Sequence, residues 1–515
     1  MEGLASSPSQ AMEDQDNSVD KNEAMSKVFE NPLILDIILA QLNRFDLKTS
    51  RLVCREWGDV GATILGKSSI LRVSHLFRYY ESKLYQVTPL HQKLKQHLII
   101  YSDFDPSIPL NKKADVIIKL LTQVFQDPRE IAIRASEKTT VTDFFNAISM
   151  MTSTRIQSIF IDTVSYGDEI RPQMDLKIPA QPSLTSLSFK VYSNVAPNNP
   201  IEFQPFLQLL IDSAPNLNSL DIWTSFYPNL EKCRNLKVLK FSFNHCYDAP
   251  YPSFSLADVV RMLVQVKDSV TEMKLSYDNG VVYIPQEPRS YICVIFDNVE
   301  LKKFTDNCNV PVMSKLTSLA IHAVNVYKIR DFFDEDHFPK LKNFSLRNNS
   351  VDLRMSTHLT LWKRHRGVES LTLTIDRPWW EDDLAGQIIH LFPAVKKFDL
   401  KIKVSCRISI HEVGRMMAAF QVWDLEKVNV LVQFMYESSY LIVVLKNMST
   451  WKGVKRVHFK QVDIKEADLS ASIQDIILHS RGLQNVKISS CLEPEIARKR
   501  IQSIFEASGV PIQFT

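Results

Sequence analysis

Four short segments decide the fold: Val395-Lys-Lys-Phe-Asp-Leu400, Leu425-Glu-Lys-Val-Asn-Val430, Val454-Lys-Arg-Val-His-Phe459 and Leu483-Gln-Asn-Val-Lys-Ile488. Each carries apolar residues at its first, fourth and sixth positions, and the starts lie 30, 29 and 29 residues apart. Apolar residues two apart share one face of a strand. A pattern returning at such a period marks one supersecondary unit used repeatedly, since each unit buries its apolar face only against its neighbours.

Working outward, the same pattern begins at Ile156, Leu184, Leu217, Leu236, Val270, Leu316, Leu341 and Val368, giving twelve candidate units. Spacing is regular from Leu316 onward. The largest step, 46 residues between Val270 and Leu316, is open to a degenerate unit around Leu301 and Phe304 or to a long insertion. Helical spacing fills several intervals, from Phe203 to Ala214, Leu256 to Val266, Trp380 to Leu391, Ile410 to Phe420 and Leu469 to His479. Asn244, Asn349 and Cys491 each stand eight residues after a repeat start, where a polar side chain can satisfy backbone groups as the strand turns. Period, polar position and strand-loop-helix order resemble leucine-rich repeats. The implied fold is α/β, with a curved solenoid and a parallel sheet on its concave face.

Before the repeats, apolar residues recur at helical intervals in Asn31-Pro-Leu-Ile-Leu-Asp-Ile-Ile-Leu-Ala-Gln-Leu42, followed by Asp46-Leu47 and Arg51-Leu-Val-Cys-Arg-Glu-Trp57. So short a segment cannot bury all these side chains alone and must share them with a partner. The order of Pro, apolar stripe, Asp-Leu turn and Val-Cys-basic-x-Trp ending resembles the F-box, although Asn31 stands where that family usually has Leu and no acidic residue follows the Pro. The resemblance implies docking to a Skp-family adaptor attached to a cullin scaffold. The adaptor-binding positions that carry over are Pro32, Leu33, Leu35, Ile38, Leu39, Leu42, Leu47, Leu52, Val53 and Trp57. Cys54 is expected to be a small buried residue rather than a nucleophile or ligand.

The expected organisation is a disordered polar tail over 1–26, an F-box over 27–71, a linker and array start over 72–140, and a repeat array over 141–515. Within 72–140, Leu76 to Leu84 and Asp115 to Phe125 have helical spacing, and Ile131-Ala-Ile133 suggests a first strand. The aliphatic run Leu441 to Leu445 is far too short to cross a bilayer and reads as a buried strand.

Lys plus Arg number 61 and Asp plus Glu 58 in 515 residues, which excludes the strong global basicity of a dedicated nucleic-acid binder. Seven scattered cysteines without a CxxC pair fit reduced thiols and a cytoplasmic or nuclear setting. No phosphate loop, GxSxG elbow, HExxH helix or dinucleotide fingerprint occurs, and His91, His97, His245 and Cys246 lack zinc-ligand spacing. Neither enzymatic activity, cofactor, metal nor membrane span is expected.

Residues two, four and six positions after each repeat start point away from the core. In early units these are mixed, as in Ser186, Ser188, Lys190, Ser219, Asp221, Trp223, Val238, Lys240 and Ser242. Later ones gather positive charge at Arg347, Lys397, Lys401, Lys427, Arg456, His458, Lys460 and Lys487. These eight are candidate contacts for an acidic or phosphorylated client; a solvated lysine-rich surface is the plainer reading. Trp379 and Trp380 are a further candidate anchor. The expected function is a substrate-recognition adaptor of a ubiquitin ligase, and the alternative is an interaction scaffold with a vestigial F-box.

Overall fold

The protein is represented by a computed structural model. It describes residues 27, 29, 31–72, 77–80, 83–86, 92–94, 96–101, 116–118, 121, 128–135, 138–151, 155–165, 176–193, 203–244, 255–278, 310–322, 333–348, 359–375, 384–403, 409–435, 437–490 and 495–514. Two units divide the chain: Met1–Val164 with Ile170–Thr185, and Ser165–Glu169 with Ser186–Thr515.

The first unit opens with helices α1 (Pro32–Ala40), α2 (Arg44–Ser50) and α3 (Arg55–Ser68). Strand β1 (Leu71–Arg72) pairs in parallel with β4 (His97–Tyr101), β4 with β5 (Glu130–Ala135), and β5 with β6 (Ser158–Ser165); helix α4 (Lys138–Ser149) fills the last crossover. Parallel pairing is therefore present from Leu71. Between β1 and β4 lies an antiparallel hairpin of β2 (Phe77–Tyr80) and β3 (Lys83–Gln86), so the helix expected over Leu76 to Leu84 is a pair of strands. Its aromatic and β-forming content, Phe-Arg-Tyr-Tyr and Leu-Tyr, prevails over the spacing of its few aliphatic residues.

The second unit is a parallel ladder. Its strands are β7 (Ser186–Ser193), β8 (Ser219–Thr224), β9 (Val238–Asn244), β10 (Glu272–Asp278), β11 (Ser318–His322), β12 (Asn343–Asn348), β13 (Ser370–Ile375), β14 (Lys397–Lys403), β15 (Lys427–Met435), β16 (Val454–Val462), β17 (Asn485–Ser490) and β18 (Ile512–Phe514), each paired with the next. Crossover helices are α5 (Gln204–Ser213), α6 (Leu256–Val266), α7 (Leu384–Leu391), α8 (Ile410–Ala419), α9 (Ser438–Thr450), α10 (Glu466–Ala471), α11 (Ile473–Ser480) and α12 (Glu495–Ala507). This is an α/β repeat with a long parallel sheet, compatible with a leucine-rich-repeat-like solenoid.

Every repeat start read from the sequence precedes or opens a strand. Glu272 of β10 is directly opposite Ser318 of β11, so no further strand stands between these two in the sheet. Leu301, Phe304, Asn349, Cys491, Trp379, Trp380, His245 and Cys246 lie outside the described residues, as does the tail before Lys27.

One face of the ladder forms the core. Phe344, Leu346, Leu371, Leu373, Phe398, Leu400, Val428, Val430, Val457, Phe459, Val486 and Ile488 are buried. Aromatic side chains from the crossovers seal it: the Phe398 ring lies 4.9 Å from Phe420, 5.1 Å from Trp423 and 6.0 Å from Trp451. Such pairs add about 0.5–1.5 kcal/mol each beyond area burial. The Trp451 indole also donates to Met417 O at 3.1 Å, which ties α9 to α8.

Two expectations fail here. Leu441 to Leu445 lie inside α9, where Tyr440, Leu441, Val444, Leu445 and Met448 form one buried helical face. A short aliphatic run has no period of its own, and its flanks decide its state. The repeat start at Val454 is also out of phase: Val428 is opposite Lys455, Val430 opposite Val457 and Val432 opposite Phe459. Val454 is 45% exposed, while Lys455 takes the core position and donates to Ser449 O at 3.2 Å and Trp451 O at 2.8 Å. The ammonium thus closes carbonyls at the C-terminal end of α9. Burial pushes its pKa down.

Candidate functional sites: a helical apolar surface and a basic sheet face

Helix α1 starts because Asn31 caps it: the Asn31 carboxamide accepts from Leu33 N at 3.0 Å, and Pro32 occupies a position that needs no donor. The departure of Asn31 from the usual Leu thus supplies a cap. Asn43 caps α2 in the same way, its Oδ1 accepting from Phe45 N at 2.9 Å and Asp46 N at 3.0 Å. Leu39, Leu47 and Leu65 form a buried cluster, against which Leu42, Trp57, Val60, Ile64 and Leu94 pack half-buried. Leu35 is buried too. Phe29 lies 5.9 Å from the Trp57 ring.

The ten adaptor-binding candidates therefore divide. Leu35, Leu39 and Leu47 are core; Leu42, Ile38 and Trp57 are half-buried; Pro32, Leu33, Leu52 and Val53 are exposed. Leu52 is 84% and Leu33 77% exposed, and two residues outside the sequence motif join them, Ile37 at 67% and Phe45 at 78%. Leu33 and Ile37, four apart, share one face of α1. Cys54 is exposed rather than buried, because it occupies the N-cap position of α3. Its side chain makes no cap bond to the helix. The Glu56 carboxyl is held below the usual carboxylate range, first by a hydrogen bond from its own backbone and then by Cys54.

On the open face of the ladder, register sets the candidate basic residues in rows. One row runs Arg347, Thr374, Lys401, Leu431, His458 and Lys487; another runs Asn343, Ser370, Lys397 and Lys427, and the row of Ser345, Thr372, Asp399 and Asn429 lies between them. Asn429 faces Arg456, and Gln433 faces Lys460. Lys397, Lys401, Lys427, Arg456 and Lys460 are exposed, whereas Arg347, His458 and Lys487 are half-buried. Arg456 Nε donates to Gln484 at 2.7 Å, and Asp399 accepts from Asn429 at 2.6 Å. His458 Nε2 lies 2.9 Å from Ser489 Oγ; burial, then Lys487 and Lys460, lower its pKa.

The sequence reading missed Lys274. It stands opposite Lys240 on β9, and Lys240 stands opposite Asp221 on β8, with Lys190 of β7 bonded to Asp221 at 3.1 Å. Burial is the main influence lowering the Lys274 pKa; Asp221 opposes it, and Lys240, Arg347 and Lys190 add to it.

Among the described residues no group of His, Cys, Asp and Glu is placed to hold a metal ion, and no helix is long and apolar enough to cross a membrane. His97 Nδ1 meets Glu130 at 2.7 Å. A parallel α/β repeat carrying an exposed apolar helical surface and a basic sheet face is the class that these features define. No protein-family model matches the chain, and no curated protein matches it in sequence.

Proposed function

We propose that the chain is a non-catalytic, substrate-recognition subunit of a ubiquitin ligase, docking through α1–α3 to a Skp-family adaptor on a cullin and capturing clients on the repeat array. The observation that carries this reading is the exposure of Leu33, Ile37, Phe45, Leu52 and Val53 on α1, on α2 and in the turn between α2 and α3, in a segment whose sequence order resembles the F-box. Large apolar side chains left in water at this density favour a partner surface, since covering one contributes about 1.5–3 kcal/mol. The division of the motif supports the reading further: one set of side chains folds the segment and another remains for contact.

In mechanism the array would hold a client while the docked scaffold presents charged ubiquitin, so that catalysis arises from effective concentration rather than from groups of this chain. The basic open face suits an acidic or phosphorylated client segment, because Lys and Arg favour carboxylate and phosphate oxygens. Co-purification with the Skp-family adaptor and cullin, compared between the native chain and a Leu33→Asp/Leu52→Asp variant, tests the reading. Association of the native chain alone is expected. Absence of association in both would leave the interaction scaffold as the better account.

A further inference from the structure

We infer that the open face of β8 to β10, where Asp221, Lys240 and Lys274 stand side by side with Lys190 and Arg347 at their flanks, binds a phosphoryl group on a client protein segment. This inference rests on the reading of the array as the client-capturing part. It moves the contact toward the first strands of the ladder and includes a residue the charge pattern of the later repeats does not.

Lys240 and Lys274 are register partners on adjacent strands, which places their backbones at the strand spacing of roughly 5 Å and their side chains on the same face. Like charges directly opposite each other destabilise a sheet. The carboxylate next to Lys240 in the row, Asp221, is engaged by Lys190 at 3.1 Å. Neither Lys240 nor Lys274 forms an ion pair among the described residues. Lys274 is in addition half-buried, so its charge costs more than that of the exposed lysines at 397 and 401. Arg347 belongs to the next row, two strands from β10, and its charge reaches Lys274.

A sheet face that keeps such an arrangement is relieved by an anion bridging Lys240 and Lys274, which converts mutual repulsion into charge-assisted hydrogen bonds. Trp223 of β8, half-buried in the row next to Asp221, gives the same spot an aromatic wall for the residues beside the anion. Two ammonium groups match the charge of a single phosphoryl group. A nucleic acid would bring successive phosphates across a face that also holds Asp221 and Asp399, on a chain whose net charge is only +3.

The test uses the full chain and a short fluorescent Gly/Ser peptide carrying one phosphoserine, with its unphosphorylated twin. Anisotropy is expected to show saturable binding of the phosphopeptide alone, weakened about tenfold or more by Lys274→Met or Lys240→Met and unchanged by Lys267→Met, at an exposed lysine that ends α6 away from the strand face. On the unmutated chain, the phosphopeptide is expected to protect Lys274, read by mass spectrometry, from acetylation by an acylating reagent while Lys267 continues to react. Equal binding of both peptides, equal losses in the Lys274 and Lys267 variants, or absence of Lys274 protection overturns the inference. Displacement of the phosphopeptide by single-stranded RNA that binds more tightly also overturns it and reassigns the face. Adaptor co-purification measured on the same variants is expected to be unaffected, so a failure here is separable from a failure of docking through α1–α3.

Discussion

Gly453, between α9 and β16, has φ +78°, in the left-handed region that side chains avoid. A Cβ there would also stand 2.6 Å from Glu426 O and meet Leu425 O more closely still, both being backbone atoms that cannot rotate away. Gly453→Ala therefore combines a conformational cost of about 1–2 kcal/mol with an overpacking cost of about 1–3 kcal/mol. Gly509 supplies the control: its φ is +64°, and an added Cβ would meet nothing within 4 Å. Gly509→Ala should cost only the conformational part. The gain from restricting the unfolded chain is common to both and cancels in the comparison. Urea unfolding followed by tryptophan fluorescence should thus place Gly453→Ala about 1–3 kcal/mol below Gly509→Ala. Equal stabilities would refute the claim that the turn before β16 presses on the backbone of the preceding repeat.

Other expectations follow from the same packing. Gly66→Ala should loosen the first unit by about 1–3 kcal/mol, since a Cβ would lie 2.9 Å from Lys93 C; the unfolding midpoint of that variant reads this directly. Cys54, exposed, should alkylate rapidly in the native protein, whereas Cys233, buried with its pKa pushed up to about 12, should react only on unfolding; peptide mapping distinguishes them. His365 is buried, with Nε2 3.0 Å from Phe338 O and Nδ1 accepting from Gly367 N at 3.2 Å, an arrangement that requires the neutral ring. Burial lowers its pKa, with Phe338 O, Glu335 and Asp334 opposing, so the unfolded chain takes up the proton first. The contribution of this ring is complete above about pH 6.5 and declines as pH falls below it. A His365→Gln variant should show a shallower decline of its urea midpoint between pH 7 and pH 5, and identical slopes would contradict the assignment.

The repeat phasing was legible because each strand must place residues of alternating burial against the same core, so errors in one unit are corrected by its neighbours. Helices such as Leu256–Val266 were legible because their buried residues, from Leu256 through Val259, Val260 and Leu263, mark a full apolar stripe. The break at Ser472 between α10 and α11 left no mark in that spacing. Val454 misled because Lys455 buries its ammonium on two carbonyls and so hides a core position behind a charged residue. In the helical segment, spacing identified which residues are apolar but not which serve the core. Leu47 and Leu52 look equivalent in sequence, yet the first is 2% and the second 84% exposed. Lys274 stands four positions after the repeat start at Val270, on the outward face that spacing defines, but its pairing with Lys240 appears only in the register of β9 and β10.

The central claim is that the exposed residues of α1–α3 bind a Skp-family adaptor. Isothermal titration of purified adaptor into the full chain tests it most directly. Saturable binding is predicted for the native protein, and Leu33→Asp/Leu52→Asp should weaken it more than about 100-fold, from two apolar contacts at about 1.5–3 kcal/mol each, with the unfolding midpoint unchanged. No heat of binding from the native chain, or equal affinity in the variant, would contradict the account.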